Sequence, residues 1–596
     1  MRRLCAIAAA VCLLATAVAA QMKITASDNR HNLSAGARGP VRSSSDEICV
    51  FCHTPHTPNP QMPMWNQALS TGVTYTVYSS STMVASVGLP TGPTKMCLAC
   101  HDGTVAIGST RSHGRLPMVG VDAQGRLRGA NVIGTDLSDD HPVSFTPVTG
   151  PQIVLPPPGD PVRLDRNGVL HCTACHDPHR QDRDLITQKF LVKTNAGSAL
   201  CLTCHRKQYW DSNPSTHRTS TRPYGVAEGA HTGYTTVADN ACESCHKPHT
   251  AGSGERVLKA VEERTCGTTA GGQCHGSSGV ASKNIAAEFN KAYRHPVYDV
   301  TPSAHDAAEG VGRPKPLPET SPAAPRHAEC PDCHNAHASY GAPASAPKGS
   351  GIVAGVSGID SNGNVVLPSG TPPSVREYEI CYKCHGDSAN KPQASGGPEG
   401  PYPNRVILQF NMRLMFDPAN PSHHAVEAAG RSGDVPSLRS PWTTASVLYC
   451  TDCHDNDTGP RAASPGPGPR GPHGSSFKHL LAARYDMDNG NTSESPSTYA
   501  LCYKCHARDR ILADQTFKQH NKHVVSEQAS CSICHDPHGV NAGQGATTTN
   551  NSRLMNFDRR FVTPSSSGLL RFDRTGTSGG RCYLTCHTKD HNPLGY

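Results

Sequence analysis

Large apolar and aromatic side chains are scarce in this sequence. Only 36% of its 596 residues are hydrophobic and 5% are aromatic, whereas there are 55 glycines and 49 prolines. Such a composition cannot bury enough apolar surface to offset the entropy lost when a chain of this length becomes ordered. A large core built from protein side chains alone is therefore excluded.

Long apolar runs are also absent after the first twenty residues, so no transmembrane segment is predicted. At the start of the chain, Arg2 and Arg3 precede a short apolar run that ends in the small residues Ala19 and Ala20. This pattern predicts a signal peptide over residues 1–20 and an exported protein, periplasmic or at the cell surface. Lipidation at Cys12 is disfavoured because Val11 stands where a small residue is expected.

Cysteine, by contrast, is abundant. The chain has 26 cysteines, and all except Cys5 and Cys12 of the predicted leader fall in motifs whose second cysteine is followed directly by histidine. The ten exact CxxCH copies are Cys49/Cys52/His53, Cys97/Cys100/His101, Cys172/Cys175/His176, Cys201/Cys204/His205, Cys242/Cys245/His246, Cys330/Cys333/His334, Cys381/Cys384/His385, Cys450/Cys453/His454, Cys502/Cys505/His506 and Cys531/Cys534/His535. Two copies are stretched: Cys582/Cys586/His587 by one residue, and Cys266/Cys274/His275 to seven residues between the cysteines.

The CxxCH motif is the attachment signature of a c-type haem, in which both thiols become thioethers and the histidine binds the iron. We therefore predict twelve covalent haem c (heme c) groups per chain, which would supply the missing core. Structural zinc also takes thiolate and imidazole, but it needs four ligands and no histidine directly after every second cysteine. A disulfide framework has no histidine rule at all.

The motifs alternate between two kinds. The first carries another histidine three residues after the attachment histidine, as in CSICHDPH at residues 531–538; these +3 histidines are His56, His179, His249, His337 and His538. The second kind lacks it. Neighbouring motifs form six doublets, which predict dihaem modules over residues 21–150, 151–222, 223–300, 301–400, 401–519 and 520–596. One motif departs from the rule, since Asp457 stands at its +3 position, and His473 is the nearest substitute.

The second axial ligand decides what a haem iron can do, and a filled position leaves electron transfer. The chain has 33 histidines but only 11 methionines, which occupy no recurring position, so bis-histidine ligation with low potentials is expected. The predicted second ligands are His31, His56, His141, His179, His231, His249, His295, His337, His424, His473, His523 and His538, with His217 in reserve. An ordinary surface histidine is an equally good interpretation of His113, His171, His305, His327, His423, His479, His520 and His591.

Regular secondary structure should be sparse. Short helices are predicted at Glu377–His385 and Thr498–His506, and Asp/Asn-Gly pairs predict turns at Asp122–Gly125, Asp165–Gly168 and Asp360–Gly363. Calcium binding by these loops is disfavoured because no terminal glutamate follows them at the required spacing. The expected fold is a multihaem cytochrome c, mostly coil, with short helices and small hairpins wrapped around an extended haem array.

Four motifs carry a family resemblance. His31-Asn-Leu-Ser, CVFCHTPH with Met64-Trp65-Asn66, CLACHDGTVAIGS and Asp139-Asp140-His141-Pro142-Val143 together resemble the doubled-CXXCH multihaem cytochromes c of dissimilatory metal-reducing bacteria. The resemblance runs over nearly the whole mature chain and implies an electron carrier in respiration to extracellular acceptors such as ferric oxide. The seven-residue loop between Cys266 and Cys274 departs from the family pattern, which leaves open whether that haem is attached at both thiols.

We accordingly predict an electron conduit and not a bond-making enzyme. Its partners would be other redox proteins, an outer-membrane porin-cytochrome complex, or copies of itself in a filament. A reductase of a small oxyanion such as nitrite is a further alternative, but no CxxCK motif occurs. Nucleic acid is not expected as a partner, because two propionates on each haem would outweigh the formal charge of +7.

Overall fold

The computed structural model describes residues 23–596 except 57, 61, 63, 81–82, 211–214, 225–232, 268–273, 278–279, 299–316, 325, 371–373, 392–401, 488 and 490–491. The predicted signal peptide, His231 and His305 lie outside the described residues. No helix in the described part of the chain combines the length and the apolar character needed to cross a bilayer.

Helices are short, and most consist of one turn. Only α1 and α6 exceed two turns, and both carry an attachment motif at their C-terminal end. The α-helices are α1 Gly92–His101, α2 Thr216–Thr219, α3 Val237–Asn240, α4 Glu262–Cys266, α5 Cys330–Cys333, α6 Glu377–His385, α7 Met412–Met415, α8 Ala500–Tyr503, α9 Arg508–Leu512 and α10 Cys531–Cys534.

Several further turns are wound more tightly or more loosely than an α-helix. A π-helical turn covers Lys522–Ser526. The 3₁₀ turns are Cys172–Ala174, Ala196–Ser198, Cys201–Thr203, Ala241–Ser244, Glu255–Val257, Glu288–Asn290, Gly351–Val353, Cys450–Asp452, Lys478–Leu480, Ala542–Gln544 and Ser552–Leu554. Three of them begin at the first cysteine of a motif.

Strands are equally small and antiparallel. The pairs are β1 (Arg42–Ser43) with β4 (Met118–Val119), β2 (Ser109–Thr110) with β3 (Gly114–Arg115), β5 (Tyr293–Arg294) with β9 (Gly474–Ser475), β6 (Gly358–Ile359) with β7 (Val365–Val366), and β8 (Ser422–His423) with β10 (Gly539–Val540). The exception is a three-stranded C-terminal sheet of β11 (Arg571–Arg574), β12 (Gly580–Cys586) and β13 (Lys589–Gly595).

The chain divides into two compact units. The described residues of the first lie within 23–210 and 217–265, and its apolar clusters are small, such as Val162 with Leu170, Ala174 and Val192. The second holds residues 215–216 and the described chain from 266 onward. Its largest cluster gathers Ala529, Ile533, Met555, Phe557, Val562, Phe572 and Leu584 beside the C-terminal sheet. Short helices, small sheets and long coil stretches confirm the predicted fold class.

The three predicted turns form, and they share one geometry. In each, the aspartate side chain accepts the backbone N–H groups two and four residues later: Asp122 from Gln124 and Arg126, Asp165 from Asn167 and Val169, and Asp360 from Asn362 and Asn364. The carboxylate thus closes the turn, as aspartate commonly does in Asx-turns. Only the Asp360 turn joins two strands, β6 and β7.

The first predicted helix is confirmed over Glu377–His385. The second is shorter than predicted, since α8 covers only Ala500–Tyr503. Its end is set by the Cys505 N–H, which donates to the Cys502 carbonyl at 3.2 Å and tightens the last turn.

Candidate functional site

Most attachment motifs share one backbone hydrogen bond. The N–H of the attachment histidine donates to the carbonyl of the first cysteine at 2.8–3.0 Å, which folds the four residues before it into a single turn. This bond is present at His53, His176, His205, His246, His334, His454, His506 and His535. Because residues three apart on a helical turn face the same side, the turn presents both thiols to one ligand.

The stretched motif at Cys266 closes in the same way. The N–H of His275 donates to the carbonyl of Cys266 at 2.9 Å, although eight residues separate the two positions. The attachment histidine of this motif therefore makes the same bond to the first cysteine as in the exact motifs.

The other stretched motif differs. Cys582 and Cys586 both lie on strand β12, and His587 lies in the turn that follows, exposed and with φ of 49°. An extended strand cannot form the hydrogen bond of the helical motifs. The C-terminal site is thus built on another backbone geometry.

Within the described residues, nine attachment histidines face a second imidazole at nearly constant separation. The ring-centre distances are His101–His31 6.1 Å, His53–His179 6.1 Å, His205–His141 6.1 Å, His176–His249 6.1 Å, His385–His295 6.3 Å, His334–His473 6.1 Å, His506–His424 6.4 Å, His454–His538 6.1 Å and His535–His520 6.4 Å. Their interplanar angles range from 10° to 88°. Direct stacking requires parallel rings, so stacking does not explain this constant distance.

A metal ion between the two rings does explain it. Imidazole nitrogen binds a metal at about 2.0–2.1 Å and lies just over 1 Å from its ring centre, so two rings on opposite sides of one ion have centres about 6.3 Å apart. The observed 6.1–6.4 Å fits this value at all nine pairs. Each pair also lies next to two attachment cysteines, which is the donor set of a bis-histidine haem c.

The motif of Cys242, Cys245 and His246 is not among these nine pairs. Cys245 directly follows the 3₁₀ turn Ala241–Ser244, and its N–H donates to the Cys242 carbonyl at 3.1 Å. The carbonyl of Cys245 accepts the Lys259 N–H at 3.0 Å, so both sides of its peptide backbone are fixed, and its side chain is half-buried.

This backbone suits the predicted attachment through Cys245. His231, the predicted second ligand nearest upstream of the motif, lies outside the described residues. The thioether at Cys245 stays a prediction. Nδ1 of His246 does contact the Arg256 carbonyl at 2.8 Å, as an attachment histidine should.

The ring nitrogen Nδ1 is anchored to the backbone in many of the paired histidines. It contacts the carbonyl oxygen of Pro178 in His31 (3.0 Å), Asn131 in His101 (2.8 Å), Lys189 in His176 (2.8 Å), Pro472 in His295 (2.6 Å), His479 in His454 (2.9 Å), Arg553 in His535 (2.9 Å) and Pro537 in His424. A carbonyl only accepts, so Nδ1 carries the proton and donates it. The lone pair of Nε2 is left free for a metal.

Burial keeps the rings neutral. Removal from water, reinforced by neighbouring imidazoles, lowers the pKa of His176, His205, His385 and His506 to about 4, and that of His473, His520 and His538 to about 3. Burial likewise lowers the pKa of His31 to about 4, although the Pro178 carbonyl opposes the shift. A neutral imidazole is the form that binds a metal.

The +3 histidines connect one motif to another. Three of them face an attachment histidine of a different motif: His179 faces His53, His249 faces His176, and His538 faces His454. Three residues span at most about 11 Å of backbone, so two sites that share such a segment are close neighbours.

First cysteines of adjacent motifs also touch. In four places two such thiols lie side by side: Cys97 and Cys172, Cys201 and Cys242, Cys381 and Cys450, and Cys502 and Cys531. Each contact joins the second motif of one predicted doublet to the first motif of the next. Successive doublets are therefore connected in two ways, through the +3 histidines and through the contacts between thiols.

In the motif of Cys450, the residue at the +3 position is Asp457, and it forms an ion pair. Asp457 accepts Lys291 Nζ at 2.6 Å and the Ser476 N–H at 3.1 Å. His473 lies opposite His334 instead. Its loop is held by Asp455, whose carboxylate accepts the Gly471 N–H at 2.6 Å.

The remaining predicted second ligands differ in their placement. His523 faces His591 at 6.5 Å and not an attachment histidine. The backbone N–H of His56 donates to the Thr54 hydroxyl at 3.3 Å, and that of His337 donates to the Asn335 side-chain oxygen at 3.0 Å, each within its own motif.

His520 was not among the twelve predicted second ligands, although the sequence left that role open for it, and its ring faces that of His535. The available signal was the pair His520 and His523, three residues apart on one helical face. The pair lies directly upstream of a doublet that needs two second ligands.

Two segments match the family model of the doubled CXXCH motif: residues 166–209 and 441–511. Each contains one complete predicted doublet, the first at Cys172 and Cys201 and the second at Cys450 and Cys502. A search of curated proteins found no match. Together with the paired cysteines and histidines, these matches indicate a multihaem c-type cytochrome that binds haem c covalently and transfers electrons.

Proposed function

We propose that this chain is an exported dodecahaem cytochrome c that conducts electrons along a series of bis-histidine haems. The observation that carries the proposal is the set of nine facing imidazole pairs at 6.1–6.4 Å, each beside two attachment cysteines. With both axial positions filled by the chain, an iron has no open face for a small molecule. Electron transfer is then the remaining activity.

Groups of the protein fix the orientation and the protonation of the imidazoles at each site. Bound haem c supplies a reversible one-electron couple. Around it, carbonyls that accept from Nδ1 fix the orientation of the imidazoles and raise their basicity. Burial excludes water and keeps both imidazoles unprotonated, as the lowered pKa values of His31 and His176 indicate.

Contacts between motifs link neighbouring sites within each unit. In the first unit, His179 links the motif of Cys172 to that of Cys49, and the thiol contact with Cys97 adds another. In the second, His538 links the motif of Cys531 to that of Cys450. Since these links are single side chains or direct thiol contacts, successive sites are close enough for electrons to pass between them.

The respiratory setting rests on the sequence. The leader supports export, and the resemblance of four motifs to cytochromes of metal-reducing bacteria supports a role in electron transfer to extracellular acceptors. Redox proteins, a porin-cytochrome complex, ferric oxide or further copies of the chain are partners compatible with that role.

Intact mass and spectroscopy of the purified protein test the proposal. We expect twelve covalent haems by mass and an entirely low-spin electron paramagnetic resonance spectrum in the oxidised protein. Binding of nitrite or CO without denaturation, or a high-spin fraction in the native protein, would favour the reductase alternative. A mass showing far fewer haems would contradict the dodecahaem assignment.

A further inference from the structure

We propose that His591, and not His587, binds the iron of the C-terminal site, opposite His523. In every exact motif the histidine directly after the second cysteine is the expected ligand, and here that residue is His587. The inference rests on the proposed function, because it assigns a ligand to one of its twelve sites.

Strand alternation places His591 on the same face as the cysteines. Along β12, Cys582, Leu584 and Cys586 are two residues apart and therefore point to one side of the sheet. Leu584 is directly opposite His591 in the register of β12 and β13, and directly opposite residues share a face. Leu584 and His591 are 6% and 7% exposed. His591 is thus turned inward with both thiols.

His587 is turned away. It forms the two-residue turn between β12 and β13 together with Thr588, with φ values of 49° and 63°. Positive φ at both positions is the signature of a type I′ turn, whose residues lie at the tip of the hairpin. The His587 ring is exposed, and its Nε2 lies 3.3 Å from the side-chain nitrogen of Asn489. The nitrogen that remains free in the other sites is here the hydrogen-bonded one.

His591 and His523 have the features of the nine other pairs. Their ring centres are 6.5 Å apart, with 38° between the planes. Nδ1 of His523 contacts the Gln519 carbonyl at 2.7 Å, and Nδ1 of His591 contacts the Tyr596 hydroxyl at 3.1 Å. Nε2 of each ring is therefore available to an ion between them.

The path of the chain explains why the ligand is displaced. The N–H of Ala529 donates to the His523 carbonyl at 2.9 Å and ties the π-helical turn Lys522–Ser526 to the segment that leads into the preceding motif. A π-turn widens the helix and is common at functional sites. The last strand, β13, then delivers His591 from the opposite direction. Residues on both sides of the site come from elements fixed by main-chain hydrogen bonds.

Two alanine variants of the full-length holoprotein test the assignment, His591→Ala and His587→Ala, which alter the same hairpin. Haem content by pyridine haemochromogen and mass confirms that both retain the cofactor. We expect a high-spin resonance equal to one haem per chain in the oxidised His591→Ala protein, the same signal in His523→Ala, and a purely low-spin spectrum in His587→Ala.

A methionine variant distinguishes loss of the ligand from general disruption of the hairpin. His591→Met should restore a low-spin site with a methionine–iron charge-transfer band, and the potential of one haem should rise, as thioether ligation requires. A high-spin signal in His587→Ala, or unchanged spectra in His591→Ala, overturns the assignment. A wild-type protein that lacks haem or is already high-spin would instead refute the proposed function itself.

Discussion

The imidazole rings of His334 and His473 lie parallel, with 6.1 Å between their centres and 13° between their planes. His473 is 19 residues downstream of His454, where the regular motif would provide a +3 histidine at residue 457. A loop residue thus performs the task that Asp457 cannot.

Replacement of His473 by alanine should therefore open one axial position. We expect His473→Ala to keep all its haems but to show one high-spin haem per chain that binds CO when reduced. Electron paramagnetic resonance and a CO difference spectrum measure the change. His113→Ala is the matched control, because His113 is an exposed histidine hydrogen-bonded to Ser112. An entirely low-spin His473→Ala spectrum would contradict the pairing.

Ser437 offers a way to tune a single site. Its hydroxyl lies 2.7 Å from Nδ1 of His506, where most other rings use a backbone carbonyl that mutation cannot remove. Ser437→Ala deletes the acceptor, lowers the basicity of the imidazole and should raise the potential of that haem. One neutral hydrogen bond, about 0.5–1.5 kcal/mol, corresponds to roughly 20–65 mV for one electron.

Spectroelectrochemical titration resolves such a change as a shift in one of the low-potential components. Ser437→Thr keeps the hydroxyl and serves as the control. A Ser437→Ala titration that superimposes on the wild-type curve would show that this hydrogen bond does not tune the site.

Arg405 is a buried cation with four partners. Its guanidinium donates to the carbonyls of Asn556 (2.8 Å), His535 (3.1 Å) and Ser532, and lies 3.7 Å from the Asp536 carboxylate. Arg405→Ala would leave the buried Asp536 carboxylate without its neighbouring cation and would remove the donor to three backbone carbonyls. A loss of about 3–5 kcal/mol in stability is expected for such a broken buried pair.

Denaturant unfolding of the holoprotein, followed by limited proteolysis around residue 535, measures this loss. Arg405→Lys should recover part of the stability but not all, since an ammonium cannot reproduce the planar fork. Arg38→Ala provides the surface comparison. Arg38 is 74% exposed in its ion pair with Asp28, so its removal should cost about 0–1 kcal/mol. Equal effects of the Arg405 and Arg38 substitutions would refute this account.

The C-terminal site should be attached through one thioether. Cys582 and Cys586 are four residues apart on an extended strand, which separates their backbones by about 13 Å. The thiols of a helical motif lie on one turn, where side chains three apart start about 5–6 Å from each other. One haem that fits the helical spacing cannot reach both strand cysteines.

Alkylation under denaturing conditions, followed by peptide mass spectrometry, will count the free thiols. We expect one alkylated cysteine in the peptide that carries Cys582 and Cys586, and none in the peptide with Cys502 and Cys505. Full protection of both C-terminal cysteines would show that β12 does not stay extended in the holoprotein.

Glu427 should make stability depend on pH. Burial raises the pKa of its carboxyl from an ordinary value of 4.5 to about 7, against the opposing hydrogen bond that the Tyr382 hydroxyl donates at 2.7 Å. Since the folded state favours the protonated acid, its contribution to stability is complete below about pH 4.5 and is lost as the pH rises to about 7. The carboxyl is partly exposed, so the loss is on the order of 1 kcal/mol.

Thermal unfolding at a series of pH values tests this dependence. Glu427→Gln should match the wild type at acidic pH and exceed it above pH 7, since the amide stays neutral. The exposed Glu47→Gln substitution controls for the change in net charge. A wild-type melting temperature that increases between about pH 5 and 7.5 relative to Glu427→Gln would contradict the prediction.

Local features were predictable from the sequence. Helix Glu377–His385 and the turn at Asp360 follow from side chains within a few residues, and their form does not depend on distant contacts. His31 and His473, which their places in the sequence predict as second ligands, lie opposite attachment histidines. In these cases residues that are close together in the sequence determine the local structure.

Long-range placement was not predictable in the same way. His591 faces His523 because of the register of β12 and β13, and a register depends on pairing that no local pattern encodes. The contact between Cys502 and Cys531 likewise brings together residues from two motifs whose separation along the chain carries no signal. The recurring CxxCH motif located the attachment sites, but only the packing of the chain shows which sites are in contact.

Because the thiols of Cys97 and Cys172 lie in contact, haem attachment at one of them has to precede folding of this part of the chain. In the oxidising compartment that the proposed export implies, two free thiols held together would be converted to a disulfide before maturation, which removes one anchoring sulfur from each of two sites. At least one of them must be capped by its porphyrin while the polypeptide is still open. A chain that folds before haem attachment would be trapped with this disulfide. Haem attachment therefore has to be faster than folding.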